Sequence, residues 1–445
     1  MSIEQRWESV FNDLGESLID RLQSGESLSL ELIGENSQFI RFNRARARQN
    51  GIVLDAKVKI TLWGDGKTAY RRFPLTGDRD LDLAEGWENL DDLREEIAIL
   101  PEDPYIVPPE NYGSTREVYH GELLPIENAV EEILQPADGL DFTGFYASGA
   151  VIRANMNSAG GKHWFATESF FLDYSVITPS EKAVKQILAD RIWNGDRYRE
   201  QLRAIETQLQ LLEKPVHQVP PGRYRVYLAP AATADLIGML SWGGVSEASL
   251  QQGGSALTKL RQGKILSPLL SLRENFQGGN VPRFNELGEV APAELSIIEK
   301  GELINTLISS RTAKEYGLVG NGASQGEGLR ATEVSSGELA REEILQRLDT
   351  GLYLSNLHYL NWSDRPSGRI TGMTRYACFY VENGEIVAPI QDLRFDESLY
   401  AFLGENLLAL TDFREFIPET GTYEARSIGG LLLPGLLVED FTFTL

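Results

Sequence analysis

Two runs of alternating apolar and polar residues meet at Asn383-Gly384 inside RYACFYVENGEIVAPIQDLRF (375–395). Asn-Gly supplies the positive φ angles of a type I′ turn, whose twist matches that of the flanking strands. The segment predicts an antiparallel hairpin, and with it a chain that builds sheets rather than a helical bundle. The N-terminal half repeats the signal: VLDAKVKITLW (53–63) turns at Gly64-Asp65-Gly66 and returns as KTAYRRFPL (67–75). SLSLELIG (27–34) and FIRFNRARARQ (39–49) alternate in part and read as separate strands. TGFYASGAVIRANMNSAGGKHWFATESFFLDYSVI (143–177) reads as strand, turn, strand.

Helical spacing is confined to a few segments. Ser2 and Gln5 form a capping box ahead of Trp7, Val10, Phe11, Leu14, Leu18 and Leu22. WENLDDLREEIAIL (87–100) is helical up to Pro101, and Pro101, Pro104, Pro108 and Pro109 make 101–120 an extended loop. ELLPIENAVEEILQ (122–135) also reads as helix. The best-marked helix starts at Thr178 as N-cap, with Pro179 at N1 and Glu181 completing a capping box. It runs through Val184, Ile187, Leu188, Ile192 and Trp193, is interrupted at Asn194-Gly195, and resumes from Tyr198 to Leu212.

A chain of 445 residues exceeds one ordinary core, so two domains are expected. Pro215, Pro220, Pro221 and Gly222 mark the boundary. The predicted class is α+β. Residues 1–214 form a mixed α/β domain with an antiparallel sheet and long helices; residues 215–445 form a β-rich domain of hairpins with a few helices. In the latter, YRVYLAP (224–230) is a strand and AATADLIGMLSW (231–242) a helix.

The formal net charge is -23. So acidic a surface repels phosphate backbones, which argues against direct nucleic-acid binding. Arg41, Arg44, Arg46 and Arg48 are the one basic cluster, and on a strand the last three would share a face as solvated surface. The single cysteine, Cys378, fits a reducing compartment and reads as a buried structural thiol. Neither a membrane-spanning run of about 18 apolar residues nor a signal peptide is recognisable, so a cytoplasmic location is expected.

Chemistry is sparse. His120, His163, His217 and His358 have no Glu beside them and no second His one helical turn away, so no helix face presents a zinc pair. A site assembled across the fold, such as His163 with His358 and Glu168, stays open. GGKH (160–163) lacks the rest of a phosphate loop and reads as a glycine turn, and GNGASQGEG (320–328) reads as a mobile loop. Trp362, Tyr353 and Tyr359 fit a core or interface better than a stacking platform, and Asp91, Asp92, Glu95 and Glu96 form a solvated helix face. No catalytic, cofactor-binding or metal-binding residue is predicted from motifs.

Three C-terminal segments carry a resemblance. SIIEKGELINTLISSRTAKEYG (296–317) followed by Gly320-Asn321-Gly322, GELAREEILQRLDTGLYLSNLHY (337–359) and TRYACFYVENGEIVAPIQDLRFDESLYAFLGENLLAL (374–410) follow one another as in the TldD/PmbA family. The resemblance implies a family whose catalytic members are zinc peptidases that work with a second, related subunit on unfolded peptides and peptide precursors. Some members were first described as modulators of DNA gyrase. In the catalytic members an H-E-x-x-x-H helix follows the central strand. The matching helix here, 231–242, carries Gly238, Met239, Leu240 and Ser241, with no His and no Glu. Zinc binding and water activation need imidazoles and a carboxylate base, so those residues do not carry over. The family's acidic and aromatic "G-D-F-S" segment is also altered, to SGRITGM (367–373) with Arg369 and Ile370. The resemblance therefore implies a non-catalytic subunit of the PmbA/TldE kind, without a cofactor of its own, paired with a TldD-like zinc peptidase. The alternative is an independent homodimer that binds peptides or another ligand. Neither nucleic acid nor membrane is an expected partner.

Overall fold

The computed structural model describes residues 2–444 and has an α+β architecture. Helix α1 (Ile3–Ile19) opens with the expected capping box. The strands β1 (Ser27–Phe42), β2 (Ala47–Gly64), β3 (Lys67–Pro74), β4 (Ser114–Tyr119), β5 (Asp141–Asn157), β6 (Lys162–Ile177) and β7 (Ala183–Asp190) form one sheet, interleaved with α2 (Arg79–Ile99), α3 (Ala129–Leu134) and α4 (Gly195–Leu212). Its order is β3-β2-β1-β5-β6-β4, with β7 also paired to β6. Only β4 runs parallel to its neighbour.

Alternation along these long strands sorts the two faces. Even-numbered residues of β1 and β5, such as Leu30, Leu32, Phe42, Phe142 and Ile152, are apolar and buried. Helices α1 and α2 cover one end of this face, and α3 and α4 the other. Part of the odd-numbered face is polar yet buried: Ser29, Glu35, Ser37 and Asn155 lie under the C-terminal half.

That half holds two sheets. The nine-stranded sheet contains β8 (Gly222–Leu228), then β13 (Gly351–Leu354) to β18 (Arg394–Ser398), then β19 (Leu407–Leu410) and β22 (Leu436–Phe443). Between β13 and β18 lie β14 (Asn356–Asp364), β15 (Arg369–Arg375), β16 (Phe379–Glu382) and β17 (Glu385–Pro389). The six-stranded sheet has β9 (Leu272–Asn275), β10 (Glu294–Glu299), β11 (Glu302–Leu303), β12 (Ala331–Val334), β20 (Glu415–Pro418) and β21 (Gly430–Leu433) in the order β11-β10-β9-β12-β21-β20. Helix α5 (Pro230–Gly238) follows β8 directly.

The hairpins form as expected. Asn383 and Gly384 have φ of 50° and 78° between β16 and β17, and Asp65 and Gly66 have 50° and 72° between β2 and β3. Cys378 is buried and bonded to the Arg375 carbonyl at 3.2 Å; burial pushes its thiol up to about 11.

Four expectations fail. The helix predicted from Thr178 is a turn closed by the Thr178 N–H to the Lys182 carbonyl, followed by β7. Val184 and Leu188 are four residues apart, which suits one helical turn and the period of a strand equally, and pairing with β6 decides for the strand. Only Asn194 starts a helix, its side chain accepting the Arg197 N–H at 3.0 Å. Second, 27–34 and 39–42 are one continuous strand, and the chain turns at 43–46 with Arg44 and Ala45 at positive φ. Arg44, Arg46 and Arg48 therefore do not share a strand face. Third, the proline-rich loop ends in β4, which docks on β6. Fourth, in 122–135 only Ala129–Leu134 is helical.

Candidate functional site

Helix α5, where the resemblance would place the zinc ligands, is an element of the core. Ala232, Leu236 and Ile237 are buried among residues of both C-terminal sheets, and the one ionisable group on α5 is Asp235. Its carboxylate accepts the Leu357 N–H at 3.1 Å, and desolvation in that recess raises it to about 6 although the residue keeps an open side. One carboxylate without an imidazole does not fit zinc, which wants three or four N, S or O ligands around it. The segment 367–373 is likewise structural: Ile370 is buried and Arg369 bonds Asp396 at 2.8 Å.

The histidines are dispersed. His163 is buried, with Nδ1 at 2.9 Å from the Thr115 hydroxyl and its ring stacked on Phe284; desolvation lowers its pKa. Glu168 stands five residues along the same strand and so points to the opposite face, where it accepts the Gly121 N–H and lies 3.5 Å from His120. His358 sits beside Tyr359 on β14, and His217 stacks on Tyr380. The fold does not bring His163, His358 and Glu168 together, and among the described residues no group of three His, Cys, Asp or Glu is placed to hold a metal ion. Of the aromatics, Tyr353 packs between Tyr227 and Phe379, Trp362 donates to the Trp242 carbonyl, and Tyr359 is exposed. The glycine loop 320–328 is pinned by buried Glu327, which accepts from the Ser246 hydroxyl and from the Ala248 and Ser309 N–H groups.

What the fold does build is a cleft of about 430 Å³ between the first sheet and the six-stranded sheet. One wall comes from β6 and β7, with Ser169, Phe171 and Ala189; the other comes from β20 and β21, with Phe416, Pro418, Gly430 and Leu432. Alternation explains the second wall. Even-numbered residues of β20 and β21 face the cleft, whereas Ile417, Leu431 and Leu433 join the core that contains α5.

Charge in the cleft runs against that of the chain. Five arginines, Arg191, Arg197, Arg330, Arg414 and Arg426, line it with three carboxylates, Asp190, Glu333 and Glu419. Burial alone would raise Glu333, but hydrogen bonds from Arg273 at 3.0 Å, from Asn275 at 2.6 Å and from Arg414 hold it at about 2. Arg426 is 2% exposed; its guanidinium donates to the Ser169 carbonyl at 2.9 Å and to the hydroxyls of Ser169 and Ser37, while Nε has no partner among the described residues. Desolvation lowers it to about 10. Arg153, behind it, donates to the Arg426 carbonyl and is lowered to about 10 by the same cause. Arg330 donates to the Gly322 and Phe284 carbonyls, its carbon lies 4.9 Å from the Phe276 ring, and burial lowers its pKa.

Sequence reading missed this cleft because its residues are isolated in the chain. Ser169 and Arg426 are 257 positions apart, and neither Arg330 nor Arg426 stands in a basic cluster. An arginine in an otherwise apolar or glycine-rich stretch, as in ARSIGGLLLP (425–434), is the one available signal.

Comparison with known proteins adds the lineage. A search of curated proteins finds no match to the sequence. Among solved structures, the fold is similar to that of a candidate modulator of a DNA gyrase from Thermotoga maritima, at a TM-score of 0.76 and 18% identity over 100% of both chains. It is also similar to TldE from Thermococcus kodakarensis, at 0.78 and 14% over 98% of this chain and 100% of that one. A candidate modulator of DNA gyrase from Bacteroides thetaiotaomicron gives 0.74 and 15% over 98% of each. The family model described as the PmbA/TldA metallopeptidase C-terminal domain matches residues 221–445, half of the chain, and the protein belongs to the PmbA/TldD family.

Proposed function

We propose that this chain is a non-catalytic, TldE-like subunit of a TldD/PmbA-type peptidase complex. It would pair with a zinc-bearing TldD-like partner and help enclose unfolded peptides or peptide precursors while the partner cleaves them. The observation that carries this reading is α5, where apolar side chains packed into the core stand in place of imidazoles and a general base. In this reading the division into domains falls at 214/215, the protein works in the cytoplasm, and any effect on gyrase is indirect, because a chain of charge -23 is a poor ligand for DNA. Among the described residues no helix is long and apolar enough to cross a membrane.

A partner surface is available on β2. Residues 47–55 pair with β1 on one side, and β3 covers only 57–64 on the other. Ile52 and Leu54 on this stretch are 59% and 55% exposed. An open strand edge with large apolar side chains is a surface that proteins ordinarily cover. Co-expression with the TldD-like protein of the same organism tests the pairing: one co-eluting peak on gel filtration is expected, and separate elution overturns it.

A second reading, an independent homodimer that binds peptides or another ligand without cleaving them, is favoured by the arginine-lined cleft. Sedimentation of the pure chain separates the two: a stable dimer that ignores the TldD-like partner supports this second reading.

A further inference from the structure

The cleft has a use that the subunit reading does not require. Three of its arginines, Arg191, Arg330 and Arg426, make no ion pair among the described residues. Their direct guanidinium partners are neutral: Arg191 lies 5.0 Å from the Tyr119 ring, Arg330 is held by carbonyls with Glu274, Glu286 and Glu289 farther off, and Arg426 by a carbonyl and hydroxyls with Glu35 farther off. Such partners satisfy N–H groups, and the carboxylates near Arg330 and Arg426 offset their charge only from beyond salt-bridge distance. A buried cation is ordinarily paired, because moving it out of water costs several kcal/mol (on the order of) that only an opposite charge offsets. Arg414 differs, since Glu333 already neutralises it. Arg197 stands at the mouth, 4.0 Å from Asp190 on an exposed surface.

The surroundings sharpen the point. Counting all side chains that line the cleft, arginines outnumber carboxylates by five to three in a protein of net charge -23. An anion is repelled by the acidic surface at large and attracted to this cluster. The volume, about 430 Å³, suits a small molecule. Thr167, Thr332 and Asn280 add neutral hydrogen-bonding groups to the lining. A cation is a poor fit, because Glu333, the buried carboxylate, is already held by two arginines and Asn275.

The geometry points to a binding site for a small, multiply charged oxyanion, a polycarboxylate or a phosphoryl compound, in the cleft between β6–β7 and β20–β21. Arg191 and Arg197 at the mouth contact the ligand; Arg330 and Arg426 supply the positive field behind it. Guanidinium forks match carboxylate and phosphate oxygens alike, so the two sources are separated by experiment.

The test is isothermal titration of the purified full chain at low salt with citrate, with pyrophosphate and with neutral triethyl citrate. Citrate or pyrophosphate is expected to bind with a Kd below about 1 mM, weakening as salt is raised. Citrate alone identifies a carboxylate site, pyrophosphate alone a phosphoryl site, and either supports the inference. Triethyl citrate is expected not to bind. In the double variant Arg191→Gln/Arg197→Gln, which alters solvent-facing side chains, affinity is expected to fall at least about tenfold with the fold intact by circular dichroism. Binding of neither anion, or binding that the double variant leaves unchanged, overturns the site. Neither outcome bears on whether the chain pairs with a TldD-like partner.

Discussion

The two faces of the six-stranded sheet have been treated in opposite ways. On one face Ile417, Leu431 and Leu433 meet the apolar side chains of α5 in the core. On the other, a single strand step away, Phe416, Pro418, Gly430 and Leu432 share a cleft with five arginines. Helix α5 is a packing element, and the cleft's cluster of arginines lies across the sheet from it. An apolar helix on one face of the sheet therefore coexists with a charged opening on the other. The two features are held by different residues and can be altered separately.

The largest effect is expected on the apolar face. Leu236, 1% exposed, anchors α5, and Leu236→Ala should cost about 3 kcal/mol in urea denaturation. A loss below about 1 kcal/mol would show that α5 is loosely packed and would break the contrast.

Next comes the ion-pair group on the cleft face. Glu333→Gln removes the carboxylate that Arg414 pairs with and leaves Arg273 only Glu294, and should cost about 2 kcal/mol, a figure reduced because both arginines are partly exposed. Glu333 is held at about 2 in the folded chain against 4.5 unperturbed. A depressed carboxylate stabilises the fold above its unfolded pKa and loses that contribution as pH falls through the folded value. Wild-type stability should therefore decline between pH 4.5 and about 2 more steeply than that of Glu333→Gln. Parallel acid limbs would remove Glu333 from the account.

A smaller effect tests the cleft's other wall, where β7 leads into α4. Asn194→Ala removes the cap of α4 and should lower stability by about 1 kcal/mol in thermal unfolding. If the helix instead began at Thr178, Asn194 would be interior and its replacement by Ala would stabilise. Smallest of all, Arg197→Gln should change stability by less than about 0.5 kcal/mol, since its side chain is exposed and its contact with Asp190 is 4.0 Å long.

Much of the fold could be read from local signals. Asn383-Gly384 and Gly64-Asp65-Gly66 specify their hairpins through backbone conformations that few residues adopt, and the box at Ser2 and Gln5 closes through adjacent groups. The error at Thr178 has the same physical root. A capping sequence followed by apolar residues four apart satisfies helix and strand alike, and the choice was made by β6, a partner that no window around Thr178 contains. The lack of His and Glu in 231–242 was legible because it is a property of consecutive residues. The cleft was not, because Ser169, Arg330, Arg414 and Arg426 meet only after the first and the six-stranded sheets have formed and packed together. The polar underside of β1 and β5 was visible as alternation, yet its burial beneath the C-terminal half was not.

The reading proposed above requires that this chain carry no zinc of its own. Metal analysis of the chain purified alone, after incubation with excess zinc and desalting, tests it directly. The account predicts well below one zinc per chain; one zinc per chain, retained through desalting and lost on removal of a histidine such as His163, would contradict it.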